Sequence, residues 1–160
     1  MGIPTFEESR CSLAIEVLQR QGSLSLRVFG SSMLPTLWPG DVTAIQACDF
    51  DEARVGDILL LVRESRFCLH RVIHKSAESV ITRGDSMPDR DPAFAPGEVV
   101  GKLREIHRSG RAVVPAHRLS GGSWLLGRLF AHSDFCLRVA LRLRAGRDKH
   151  SALPVGSTVS

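Results

Sequence analysis

The hydrophobic positions of this chain change period along its length. Between residues 6 and 21, Cys11, Ala14, Ile15 and Leu18 recur at the three-and-four spacing of one helix face. Thr5 and Glu8 make a Thr-x-x-Glu capping pattern ahead of that run, and Gly22 supplies a stop behind it. A short amphipathic helix over about residues 6–21 is predicted.

From Ser23 the period falls to two. Leu24, Leu26 and Val28 alternate with Ser25, Arg27 and Phe29, as in a strand that runs into a turn at Gly30. Strand-like stretches return at 42–47, 57–62, 67–74, 79–82 and 99–106, with a weaker one at 112–114. Pro39-Gly40-Asp41, Val55-Gly56-Asp57, Arg83-Gly84-Asp85 and Pro96-Gly97-Glu98 punctuate them. Many short strands with no helix between them predict a mainly β, antiparallel domain.

After Pro115 the apolar residues cluster again, from Trp124 to Phe130 and from Phe135 to Leu143, interleaved with Arg128, Arg138, Arg142 and Arg144. This predicts C-terminal amphipathic helices, broken near His132-Ser133-Asp134, and a disordered tail. The expected organisation is an N-terminal helix (1–22), a β domain (23–115), a basic helical appendage (116–148) and a tail (149–160).

A chain of 160 residues, 43% hydrophobic and 24% charged, has the composition of one globular domain with a core. Its longest unbroken apolar run, Ile58 to Val62, falls far short of the roughly 20 residues of a membrane-spanning helix. The first residues show no basic flank followed by an apolar stretch, so no secretory signal is expected. The net charge of +4 is unevenly distributed: residues 1–101 hold 10 Lys/Arg against 14 Asp/Glu, and residues 102–160 hold 11 against 3. A basic segment of this kind reads as a solvated face first and as a contact for an anionic membrane surface second; nucleic acid is not expected. Cys11, Cys48, Cys68 and Cys136 are widely spaced, with no Cys-x-x-Cys pair and no His at ligand spacing. Neither a metal site nor a cofactor is expected, and reduced thiols suit an intracellular chain.

Three segments carry candidate chemistry: Val28-Phe29-Gly30-Ser31-Ser32-Met33-Leu34-Pro35-Thr36; Val55-Gly56-Asp57 with Leu69-His70-Arg71-Val72; and Arg83-Gly84-Asp85-Ser86-Met87-Pro88-Asp89-Arg90-Asp91-Pro92. In that order, over about residues 26–106, they resemble the signal peptidase I superfamily of serine proteases, which also holds the self-cleaving repressor-type regulators. The resemblance implies an antiparallel signal-peptidase/repressor-type β fold. The leader peptidases of bacteria place a lysine before the Arg-Val pair. Here that place is His70, as in the archaeal and endoplasmic-reticulum branch, and an acid follows six residues after Asp85, at Asp91.

The resemblance implies Ser32 as nucleophile, His70 as general base and then acid, and Asp91 as the acid that orients the imidazole. These residue types suit the task. A serine hydroxyl attacks well only when a base within hydrogen-bond reach takes its proton. Imidazole, with an unperturbed pKa near 6.5, does so at neutral pH, and a carboxylate behind it fixes the tautomer. Gly30, Ser31 and Asp85 are expected to support the turn and the oxyanion site, with Gly30 allowing a backbone that a side chain would obstruct. Met33, Leu34 and Pro35 are expected to wall a substrate pocket or join the core. Ser31 competes with Ser32, His74 shares the face of His70 by the period of two, Asp89 competes with Asp91, and Lys75 replaces the base if the register shifts.

The resulting expectation is a serine endopeptidase that cuts a leader or precursor peptide after a small residue. With no anchor visible, it is expected to act in the cytoplasm as a dedicated maturation protease, peripherally held at the inner membrane face through the basic C-terminal helix. The alternative is a self-cleaving or peptide-binding regulatory module of the repressor type.

Overall fold

The computed structural model describes residues 6–117, together with Gly122 and residues 125–127. Helix α1 spans Phe6–Gln21, as the periodicity predicts. Leu18 and Cys11 are its buried residues. It ends at Gly22, whose φ of 73° and N–H bond to the Leu18 carbonyl at 2.9 Å turn the chain into the sheet. Thr5, the expected cap, lies outside the described residues.

Seven strands follow: β1 (Ser23–Arg27), β2 (Val42–Ala47), β3 (Ile58–Arg63), β4 (Arg66–Lys75), β5 (Val80–Arg83), β6 (Val99–Arg108) and β7 (Arg111–Val113). They form one antiparallel sheet in the order β1-β2-β6-β3-β4-β5, with β7 paired to the far end of β6. The protein is therefore mainly β, with a short N-terminal helix.

The apolar run of β3 is explained by its place inside this sheet. Ile58 and Leu60 point into a core shared with Leu18, Met33, Leu37, Ile45, Leu103 and Ile106. Leu59 and Leu61 point the other way, into a second core with Phe50, Val72, Val80, Phe94 and Val99. A strand buried on both faces loses the polar half of its alternation. Each fully buried leucine contributes about 1.5–3 kcal/mol of apolar transfer, so β3 is the strand on which both layers depend.

The Gly-Asp turns are not solvent turns. The Asp41, Asp57 and Asp85 side chains are almost wholly buried, and each meets a basic partner from a distant segment: Arg108 at 2.5 Å, Lys102 at 2.8 Å and Arg71 at 2.8 Å. Buried carboxylates persist only when paired and hydrogen-bonded. The turns thus fasten loops to the strands behind them.

The helices expected over 116–148 and the tail expected over 149–160 lie almost entirely outside the described residues. Gly122 and residues 125–127 are helical. Gly127 is buried, where an added Cβ would stand 2.6 Å from the Asp85 carbonyl oxygen. This one turn of the C-terminal segment therefore packs on the β domain beside the Gly84-Asp85 turn.

Candidate active site

Ser32, His70 and Asp91 come from three separate segments and meet in one line. His70 Nε2 lies 3.0 Å from Ser32 Oγ, and His70 Nδ1 lies 2.6 Å from Asp91 Oδ2. A carboxylate oxygen can only accept, so Nδ1 carries the ring proton and Nε2 is left to accept from the serine hydroxyl. Such an arrangement can take a proton from an attacking hydroxyl and hold the imidazolium that results.

Each member is held by its own neighbours. His70 sits in β4, paired with Leu59 of β3. Asp91 follows an irregular loop but returns to β5, where its N–H donates to the Thr82 carbonyl at 2.8 Å. The Thr82 hydroxyl, fully buried, donates to Asp91 Oδ2 at 2.7 Å. Ser32 lies between β1 and β2, on a loop stitched to the 84–91 loop by Ser86. The Ser86 N–H donates to the Ser32 carbonyl at 2.9 Å and its hydroxyl to the Ser31 carbonyl at 2.8 Å. Gly84 permits that approach, because a Cβ there would stand 2.6 Å from the Ser32 carbonyl oxygen and 2.7 Å from Met87 Cγ.

Behind the base, Arg71 is nearly buried and binds Asp85 through two parallel bonds, Nε to Oδ1 at 2.8 Å and one terminal nitrogen to Oδ2 at 2.9 Å. Its other terminal nitrogen donates to the Gly56 and Ala116 carbonyls. The Thr36 hydroxyl completes the Asp85 carboxylate at 2.5 Å. Asp85 is therefore not an oxyanion group. It ties the serine loop, through Thr36, to the strand that bears His70.

The competing residues fall elsewhere. Ile73 is the extra residue of a bulge between Val72 and His74. Beyond a bulge the alternation restarts on the other face, so His74 leaves the face of His70 and is exposed. Asp89 is exposed in the loop, away from the imidazole that Asp91 holds. Lys75 spends its ammonium on the Phe50, Asp51 and Ala53 carbonyls at 2.8–3.0 Å. Ser31 contributes its carbonyl, not its hydroxyl, to the Ser86 stitch.

One expectation requires correction. Gly30 has no positive φ, and a Cβ there would meet nothing within 4 Å, so neither backbone strain nor crowding explains a glycine at that position. Of the three residues expected to wall the pocket or join the core, Met33 does both, lining the cleft beside Ser32 and packing in the core, and Leu34 is fully buried. Neither Leu34 nor Pro35 lines that cleft.

The cleft has a volume of about 380 Å³ and runs between the β1 end (Leu26, Val28, Gly30) and β4 (Phe67, Cys68, His70). Cys68, two residues before the base, was not foreseen there. Burial, with Asp91 nearby, pushes its thiol up to about 11, so it stands in the cleft as a neutral, apolar group. Thr82 and Ser86 were missed as well, since an ordinary threonine in a strand and a serine in a turn carry no distinguishing spacing. Among the described residues no group of three or more His, Cys, Asp or Glu side chains could hold a metal ion.

No protein-family model matches the chain, and no curated protein matches it. Among the described residues, no helix is long and apolar enough to cross a membrane.

Proposed function

We propose that this chain is a serine endopeptidase of the signal-peptidase type, cutting a leader or precursor peptide after a small residue. The observation that carries the reading is the continuous relay from Ser32 Oγ through the His70 ring to Asp91 Oδ2. In the proposed reaction Ser32 Oγ attacks the scissile carbonyl while His70 Nε2 takes its proton. The Ser32 N–H stabilises the oxyanion. His70 returns the proton to the leaving amine, and water then releases the acyl group by the same exchange in reverse. Asp91 holds the tautomer throughout, and Thr82 holds Asp91.

The flanks of the cleft suit an extended peptide. β1 is an edge strand, and residues 66–70 of β4 lie beyond the stretch that β5 covers, 71–75. Backbone groups along such edges bind a substrate by adding it as a strand, while pockets for alternate side chains select its sequence. Cys48 and Cys68 are free thiols, which supports a reducing, cytoplasmic place of action. Attachment at the inner membrane face through the basic C-terminal segment belongs to the same proposal.

A fluorescent fluorophosphonate, with wild type, Ser32→Ala and His70→Ala, tests the chemistry. Phosphonylation mapped to Ser32 in wild type, lost in Ser32→Ala and strongly slowed in His70→Ala, is expected. An unlabelled wild type, or a label that persists in Ser32→Ala, rejects the proposal. For the membrane component, sedimentation with anionic phosphatidylglycerol vesicles at low salt is expected to deplete the supernatant; equal recovery with and without vesicles removes it.

A further inference from the structure

The cleft at Ser32 does not end at the serine. A second groove of about 660 Å³ lies between α1 and the β3–β4 hairpin, floored by Leu13, Ala14 and Val17 of α1, Leu24 and Leu26 of β1, and Phe67 of β4. Arg10, Leu26 and Phe67 line both spaces, so cleft and groove form one trough that leads away from the nucleophile. Its floor is apolar. Among the described residues, the charged side chains that line it are Arg10, Arg27 and Arg66, all exposed, and no carboxylate lines either space. Leu13 is 60% exposed, an apolar side chain at the groove's edge.

This combination is selective. An apolar floor rewards a peptide that buries aliphatic side chains. A rim of one sign, around a low-dielectric trough, favours the opposite charge and raises the rate at which it arrives. We propose that the groove is a docking site for the precursor itself: a segment outside the scissile bond, aliphatic on one side and carrying Asp or Glu, seats between α1 and the β3–β4 hairpin while the bond to be cut lies at Ser32. The inference rests on the endopeptidase reading and adds to it the chemistry of the substrate. Precursors would be chosen twice, by a small residue at the cut and by an acidic, aliphatic segment at a distance from it.

The test uses Ser32→Ala, which retains the trough without consuming the probe. Two fluorescein-labelled 20-residue peptides, one alternating Leu/Val with Glu and one with Lys in place of Glu, are titrated by fluorescence anisotropy at low and physiological salt. The Glu peptide should bind about tenfold tighter at low salt, the difference shrinking as salt screens it. Arg27→Glu/Arg66→Glu in the same background should erase or invert the preference, and Leu13→Asp should weaken both peptides. Circular dichroism confirms that these surface variants fold. Equal binding of the two peptides, binding of neither, or a preference untouched by the double substitution overturns the proposal. Fluorophosphonate labelling of wild-type Ser32 is read separately. An unlabelled serine with a retained Glu preference defeats the protease while leaving the docking site standing; a labelled serine with no preference does the reverse.

Discussion

The Arg71 guanidinium lies edge-on to the Asp85 carboxylate, joined by bonds of 2.8 and 2.9 Å, immediately beyond the candidate base in β4. Asp85 in turn receives Thr36 from the loop that carries Ser32. Removing one partner of such a buried pair leaves the other charged and unsolvated, at a cost of about 3–5 kcal/mol. Arg71→Met should therefore lower unfolding stability by about that amount, measured by urea denaturation. Arg71→Lys should recover only part of it, because an ammonium cannot reproduce the two-pronged geometry. A loss below about 1 kcal/mol, the size of a surface pair, would show that the pair is not a structural tie.

Thr82 offers a cleaner probe of the acid. Thr82→Val keeps the shape and removes the hydroxyl that donates to Asp91 Oδ2 at 2.7 Å. A hydrogen bond to a charged group contributes about 1.5–3 kcal/mol, so the rate of Ser32 phosphonylation should fall roughly 10- to 100-fold. Asp91→Asn should fall further, whereas Asp89→Asn should match wild type. An inactive Asp89→Asn beside an active Asp91→Asn would transfer the acid's role to Asp89.

At Gly30 the expected outcome is tolerance. With nothing within 4 Å of an added Cβ, Gly30→Ser should change stability by no more than about 0.5 kcal/mol. Its new hydroxyl would stand beside the cleft, and an equal or faster phosphonylation rate is expected. A loss of folding in thermal melts would contradict the open space seen there.

Cys68 gives a pH signature. Its thiol is raised from 9.0 to about 11, chiefly by burial. Unfolding then lets the thiol ionise more readily, so its contribution is complete below pH 9 and is lost as pH climbs from 9 towards 11. Stability curves of wild type should fall across that window more steeply than those of Cys68→Ala. Parallel curves would place the thiol in a solvated setting. Iodoacetamide at pH 8 should likewise modify native Cys68 far more slowly than the unfolded chain.

Much of the sheet was legible because its signals are local. The alternation at Leu24 and Leu26 and the run at Val42–Ala47 gave β1 and β2 directly, and Gly22 marked the end of α1. The two-faced burial of β3 was written in its unbroken apolar run, but only its position between β6 and β4 explains why. Strand order was not legible, since pairing β3 with β6 joins segments about 40 residues apart. Nor was the fate of Asp41, Asp57 and Asp85. A Gly-Asp pair reads as a solvent turn until the distant Arg or Lys that buries it is known. At the site, Ser32, His70 and Asp91 were nameable from motif order, and the geometry brings them within hydrogen-bond reach. The bulge at Ile73, the Thr82 hydroxyl and the Ser86 stitch depend on contacts that no spacing announces.

Ser86 carries a further consequence. Because it binds the Ser31 and Ser32 carbonyls from the loop that leads to Asp91, it fastens the Ser32 loop to the 84–91 loop. His70 and Asp91 are joined through the sheet instead: His70 lies in β4, and Asp91 is bound by Thr82 of β5, which pairs with β4. Three groups from three segments are thus fixed by two sets of contacts, and the Thr36–Asp85–Arg71 bridge runs from one set to the other.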